Sequence, residues 1–445
     1  MKKVVIASDS FKGSMSSMDV AAAASEGIKE LFPDCETVMV PVADGGEGTA
    51  EAIASACGGQ MVSVPVHDPL MRPITAEYGV ISAAPSGGRS EFFEAGGFKR
   101  SVSGVPETGA PGEKFFGRRS DRAADTAVID VAAASGLPLL KKDELNPMKA
   151  STYGTGELIL DALDRGCRDF IIGLGGSATN DGGMGMLEAL GFRFLGADGK
   201  MLSTDDGLPM YGCGEAMAKI AAIDVSGVAD GLRESRFRVA CDVNTPFCGP
   251  AGAAEIFAPQ KGADQRMVKA LDEGMANFAA VISRTAGLAG AEYTNGGTAG
   301  PDISRVPGTG AAGGLGGAFL AFLGACLTPG IELVLDTVRF DERIAGADMV
   351  ITGEGKMDSQ TLKGKTPFGI LQHAKAQGIR TVAVCGKCLD RQTLIDAGFA
   401  DIREISPAGL TLEQMMEPST AKANVRRTVQ AIVTDFSANP TSKRP

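Results

Sequence analysis

Short apolar runs rich in β-branched residues alternate with helix-patterned stretches over most of this chain. The first run, KVVIAS from Lys3 to Ser8, has the length and composition of a buried strand. A helical pattern opens at Ser16 or Ser17 and reaches about Leu31. ETVMVPV predicts a second strand, GEGTAEAIASAC a second helix and QMVSVPV a third strand. This βαβαβ order predicts an α/β fold: a mostly parallel sheet with helices on both faces.

The pattern changes after His67. HDPLMRPITAEYGVI reads as hairpin material, and the segment from about Ala84 to Ala124 reads as a long exposed insertion. That segment is rich in Gly, Ser, Pro and Arg and has no sustained period. TAVIDVAAASGL resumes as strand then helix, and YGTGELILDALDRG is an amphipathic helix. CRDFIIGLGGSATNDGGMGMLEALG reads strand, glycine loop, helix, and FRVACDV is another strand. A long helix is expected from Asp264 to about Ala286. GTGAAGGLGGAFLAFLGACL is a glycine-rich helix start. ELVLD, DMVITGE and RTVAVCG read as three buried strands, and a last helix runs from about Ser419 to Phe436.

At 445 residues the chain exceeds one ordinary core, so two or three domains of roughly 100–200 residues are expected. The net charge of −11 argues against nucleic acid as the main partner. It does not exclude small anions, which backbone N–H groups at helix starts bind. Nine cysteines, an odd number, read as reduced thiols. Cys385 and Cys388 form one C-x-x-C; two small residues at a strand end is the preferred reading, a redox pair the other. Zinc would need a second ligand pair beside it, and His67 and His373, the only histidines, both read as structural. MKKVVIASDS lacks the apolar stretch of a signal peptide, and no run of about 18 charge-free apolar residues follows. A cytoplasmic protein with no membrane partner is the expectation.

Carboxylates recur just past apolar strands: Asp9, Asp44, Asp242 and Glu354. In an open parallel sheet that edge binds ligands, and Mg2+ prefers such oxygen donors. Helix capping is the competing explanation for any one of them. Glycine loops precede helices at 43–49, 173–183 and 307–317, where the backbone can approach a phosphate. Close helix packing would equally account for each loop. Lys12 follows Asp9 by three residues, and Lys356, Lys363 and Lys365 follow Glu354; each can act as a point charge toward phosphate.

Two standard nucleotide motifs fail. Gly364-Lys365-Thr366 has the tail of a P-loop, but the leading glycine would fall at Ser359. Gly308, Gly310 and Gly313 fit G-x-G-x-x-G, yet DISRV before them is a poor strand.

DSFKGSMSS, PVADGGEGT, YGTGELI, IIGLGGSATNDGG, VACDV, PQKGA, GAAGGLGG, VITGEGKMDSQT and GKTP stand in the order seen in type-1 glycerate kinases. The chain resembles that family from Val4 to about Phe399. The resemblance implies phosphoryl transfer from ATP to D-glycerate with Mg2+, 2-phosphoglycerate favoured over 3-phosphoglycerate, and a product feeding glycolysis. It further implies a Rossmann-like domain from both chain ends (1–66 and 291–445), an inserted α/β domain (67–290), and an active site in the cleft. A homo-oligomer is left open. The insertion at 84–124 and the CGKC sequence depart from the family's usual pattern.

On that footing the catalytic candidates are Asp181, Lys12 and Asp242, and the Mg2+ candidates are Asp44 and Glu354, with Asp181 and Asp44 each able to serve as metal ligand or base. The phosphate-binding candidates are Gly45, Gly46, Gly175, Gly176, Ser177, Gly308, Gly310, Gly313 and Gly314. Two other classes compete: a nicotinamide-dependent hydroxy-acid oxidoreductase, and a non-catalytic binding protein for a small anion.

Overall fold

The structure, a computed structural model, describes residues 1–82, 124–204, 206–285, 287–289, 300–407 and 409–438. The insertion expected at about 84–124 lies, except for Ala124, outside the described residues. The chain divides into two compact units, residues 1–60 with 329–445, and residues 61–328.

The first unit holds a five-stranded sheet in the order Asp401–Glu404, Arg380–Cys388, Met349–Met357, Lys3–Ile6, Glu36–Met39. Every neighbouring pair is parallel. Side chains alternate between the faces of a strand, so each strand contributes to two apolar layers. Val4, Ile6, Met349, Ile351, Val382 and Val384 pack toward the helices Ser17–Leu31 and Pro418–Ala438. Ala383, Cys385 and Met357 join the layer that includes Leu371 of the Thr366–Ala376 helix. Helices thus cover both faces, as the βα alternation predicts. The first helix starts where its capping box demands: the Ser16 hydroxyl accepts from the Asp19 amide and the Asp19 carboxylate accepts from the Ser16 amide.

The second unit holds a six-stranded sheet in the order Cys326–Thr328, Arg236–Ala240, Asp169–Gly173, Thr126–Asp130, Pro73–Ile81, Gln60–His67. The first four are parallel, and Pro73–Ile81 runs antiparallel to Thr126–Asp130. Its core is aromatic: Phe170 stacks on Phe237 at 4.6 Å between ring centres, and Phe237 lies 6.0 Å from Phe319.

Three expectations differ from this architecture. Gln60–His67 is not a third strand of the first sheet; Val64 and Val66 are buried in the core of the second unit. The glycine-rich helix Ala311–Leu323 and the strand after it also belong there, because Phe319 packs on the second sheet and Cys326–Thr328 pairs with Arg236–Ala240. The boundaries drawn from the sequence at 66 and 291 therefore fall at 60 and 328. ELVLD is helical, within Gly330–Thr337. Its apolar residues fit a buried face of either period, and packing against the neighbouring helices decides.

His373 joins three helices of the first unit. Its Nδ1 lies 2.9 Å from Asp341 and its Nε2 3.3 Å from Glu332. Hydrogen bonding to Glu332 and to Asp341 outweighs burial and raises the imidazole to about 9. A raised folded-state value contributes stability below the unfolded value of about 6.5, lost as pH climbs through about 9. His373→Gln is expected to lower the urea midpoint at pH 6 by the equivalent of about 1–2 kcal/mol. The gap from the parent protein should narrow between pH 6.5 and 10; a gap constant over that range would rule out an ionised bridge.

Candidate active site

In the first sheet the chain leaves Lys3–Ile6 toward one edge and Met349–Met357 toward the other, so the strand order reverses between these two neighbours. Crevices at such reversals, past the carboxyl ends of the strands, bind ligands in open parallel sheets. Asp9 follows the first of these strands, and its amide donates to the Gly353 carbonyl at 2.9 Å, which ties it to the second. One Asp9 oxygen accepts from the Ser10 amide at 2.7 Å; the other accepts from the Thr366 hydroxyl at 3.4 Å. Glu354 sits on the second strand, buried, accepting from the Thr361 hydroxyl at 2.6 Å and from Lys365 Nζ at 3.2 Å. Asp44 follows the adjacent Glu36–Met39 strand and accepts from the Gly46 amide at 3.2 Å. Gly45 is buried beside it and Lys12 is exposed near Asp9.

The electrostatics mark Asp9 as the centre. Burial, then the Asp44 charge, raise its carboxyl to about 6; Glu354 adds to this, while the Ser10 amide and Lys12 oppose it. From the sequence Asp9 is only one of four strand-end carboxylates. Its place between Asp44 and Glu354 becomes visible once the sheet order is known. The cluster therefore unites Lys12, Asp44 and Glu354, and adds Asp9 and Lys365. Among the described residues no three acidic, thiol or imidazole groups are arranged to enclose a metal by themselves. Mg2+ commonly takes one or two carboxylates and completes its shell with phosphate oxygens and water. Asp9 and Asp44, whose like charges crowd each other, fit that role.

Asp181, Asp242 and the other two glycine loops belong to the second unit. Asp181 is sealed, with no exposed surface. It accepts from the Thr152 amide at 2.8 Å, the Thr152 hydroxyl at 2.7 Å, the Gly183 amide at 3.0 Å and the Gly185 amide at 3.1 Å. Burial raises its carboxyl and these four donors hold it down. Three of these bonds end on Oδ2 and one on Oδ1, so both oxygens help to bind the chain to itself. Asp242, past Arg236–Ala240, is exposed.

The two glycine loops of this unit pack backbone to backbone. A Cβ on Gly313 would come within 2.1 Å of the Thr179 carbonyl oxygen, and one on Gly314 within 2.7 Å of the Gly182 Cα. Gly313 and Gly314 also have φ of 71° and 99°, and Ala312 joins them at 53°, so the helix is broken at its first turn. The Gly310 amide donates to Thr245 O at 3.0 Å and the Gly314 amide to Gly310 O at 3.3 Å. Gly308, Gly310, Gly313 and Gly314 therefore take part in loop packing, and the Gly310 and Gly314 amides are engaged by carbonyls of their own unit. Gly175 and Gly176 are more open, Gly176 being exposed with φ 79°. Ser177 next to them is buried.

Lys261 has no candidate role in the sequence reading, although it stands in PQKGA. It is 1% exposed and donates to Ser177 Oγ at 2.8 Å and the Thr179 carbonyl at 2.6 Å. A lone lysine in a polar sequence carries no signal of burial, so only packing reveals it. Cys385 and Cys388 both lie on the extended strand Arg380–Cys388. Three strand residues span about 10 Å, beyond the roughly 7 Å that a disulfide tolerates. Burial also pushes the Cys385 thiol far up, so the redox alternative loses its geometry. His67 Nδ1 binds Glu157 at 2.9 Å, and no helix is long and apolar enough to cross a membrane among the described residues.

The chain matches the model of the glycerate kinase family over residues 4–437. It is 37% identical to the glycerate kinase of Halalkalibacterium halodurans, with 94% of each chain covered. It is 38% identical to the protein named glycerate 2-kinase in Escherichia coli, with 91% of each covered. A crystal structure from Salmonella typhimurium LT2, provisionally named glycerate kinase 2, superposes with a TM-score of 0.77 at 35% identity and covers 99% of each chain. Motifs, α/β architecture and full-length similarity agree, and the chain belongs to the glycerate kinase family, as an enzyme of the phosphotransferase class.

Proposed function

We propose that this enzyme transfers the γ-phosphoryl group of ATP to the 2-hydroxyl of D-glycerate, and that its 2-phosphoglycerate feeds glycolysis. The observation carrying the catalytic reading is the Asp9–Asp44–Glu354 cluster, flanked by Lys12 and Lys365, at the strand-order reversal of a parallel sheet. Phosphoryl transfer demands positioning and charge neutralisation more than covalent chemistry from the protein. Asp9 and Asp44, with Glu354 beside them, would supply one or two carboxylates to Mg2+, which neutralises charge on the phosphates when bound. Lys12, exposed beside Asp9, would meet the phosphate oxygens as a point charge. Lys365 holds Glu354, and Thr361 fixes the second oxygen of the same carboxylate.

The choice of the 2-hydroxyl is supported by the likeness to the Escherichia coli protein named glycerate 2-kinase. Gly45 and Gly46 are assigned to the nucleotide phosphates, and Gly175, Gly176 and Ser177 to an anionic oxygen of a substrate. Asp242 is assigned a contact with substrate from the edge of the second sheet. Asp181 is assigned a structural role, because all its hydrogen bonds end on the protein itself.

Two substitutions separate chemistry from architecture. Asp9→Asn removes a crowded negative charge, so its urea midpoint should stay at or above that of the parent protein. ADP release with glycerate should fall by about 100-fold or more, and the Mg2+ concentration for half activation should rise. Unchanged turnover and Mg2+ dependence would remove Asp9 from the site. Asp181→Asn keeps one acceptor oxygen and turns an amide toward backbone donors, so it should cost about 2–4 kcal/mol of stability in urea unfolding. A parent-like midpoint with turnover lost would return Asp181 to the catalytic group. Phosphorus NMR of the product tests the regiochemistry: a resonance of 3-phosphoglycerate alone would overturn the 2-hydroxyl assignment.

A further inference from the structure

Lys261 is a fully buried cation without a carboxylate within ion-pair distance among the described residues. Such burial is costly unless each proton of the ammonium is well used. Here two of its protons are donated, one to Ser177 Oγ and one to the Thr179 carbonyl, both in the 173–183 loop. An ammonium has three donors and no lone pair, so it cannot accept from Ser177. The Ser177 hydroxyl proton must then point elsewhere, and among the described residues no acceptor takes it. The same loop holds two further buried polar atoms, Thr179 Oγ1 and Asn180 Oδ1, without a hydrogen-bond partner among the described residues. The loop is anchored on the protein side by the Leu137 amide donating to Gly176 O at 2.9 Å and the Ala178 amide to Ser135 O at 2.8 Å.

We propose that Lys261 is a positioning residue for this loop, fixing Ser177 as a hydrogen-bond donor aimed at an anionic oxygen of a bound substrate. This rests on the assignment of Gly175, Gly176 and Ser177 to substrate. The oxygen belongs to the phosphate chain of the nucleotide or to the carboxylate of the hydroxy acid. Either would recognise a hydroxyl proton held by a cation behind it.

The arrangement carries its own pH dependence. Burial lowers the Lys261 ammonium to about 7, and the charge of Asp181 opposes the fall. Above that pH the neutral amine gains a lone pair and can accept the Ser177 proton, which withdraws the donor from the substrate. Raising the pH through about 7 should therefore weaken binding of the substrate that Ser177 touches.

Steady-state ADP release by the full-length protein, with ATP and D-glycerate varied in turn from pH 6.5 to 8.5, tests this. Lys261→Met and Ser177→Ala should each raise the KM of the same one substrate by about 10-fold, and the double variant should add nothing further. Whichever KM responds identifies the source of the oxygen. The parent protein's KM should climb with pH relative to that of Ser177→Ala, which carries only the substrate's own ionisation. Additive effects, or Ser177→Ala with both KM values unchanged, would overturn the proposal. Should Lys261→Met fail to fold, the pH dependence of the parent against Ser177→Ala decides alone, a flat ratio refuting it. A parent protein releasing no ADP with glycerate would instead strike the functional reading. Calorimetric titration of the same proteins with pyrophosphate and D-glycerate across that pH range would then decide the role of Lys261, by the same ratio.

Discussion

Like charges crowded at the carboxyl edge of a parallel sheet are the constraint from which the rest of the first unit's chemistry follows. Parallel pairing puts the ends of Lys3–Ile6, Glu36–Met39 and Met349–Met357 on one edge, and each end carries a carboxylate. Asp9 and Glu354 are both buried, and the Asp9 carboxyl is driven up by burial and by its neighbours. A fold optimised for stability alone would not keep that group there, since an apolar or amide side chain would suffer less from burial. The cost is tolerated where a cation and phosphate oxygens complete the charge balance. Asp181 shows the opposite logic. Its charge is also buried, but four donors from its own loops satisfy it. Burial is therefore common to both carboxylates; the partners that each one meets differ.

The glycine loops teach a similar lesson. A glycine run before a helix suggests an anion cradle, because backbone amides become accessible there. At 308–317 the Thr309, Gly310, Ala311, Gly314 and Gly317 amides donate to carbonyls of the same unit, and the missing side chains let two loops approach within backbone contact. At Gly175 and Gly176 the backbone is more open, and a buried lysine stands behind the serine that follows. Glycine richness alone therefore does not separate a packing loop from an anion site.

Much of this protein was legible in its sequence. Strand and helix alternation, the capping box at Ser16, the long helix after Asp264 and the α/β class all follow from local rules. Their hydrogen bonds close within a few residues or along one strand, and their apolar periods repeat on the same scale. The ordered motifs named the family, and the strand-end carboxylates Asp9, Asp44 and Glu354 gather at one edge of the first sheet. Tertiary structure alone decided which sheet each strand joined, that ELVLD is helical, and that Asp9 lies between Asp44 and Glu354. It alone sealed Asp181, buried Lys261 under Ser177, and set Cys385 and Cys388 apart on one extended strand. These outcomes depend on contacts between residues tens to hundreds of positions apart, such as Asp9 with Gly353, and no local pattern encodes the partner of a long-range contact. Periodicity states that a side chain is to be buried; only the assembled sheets state against what, and that neighbour sets its charge and its chemistry.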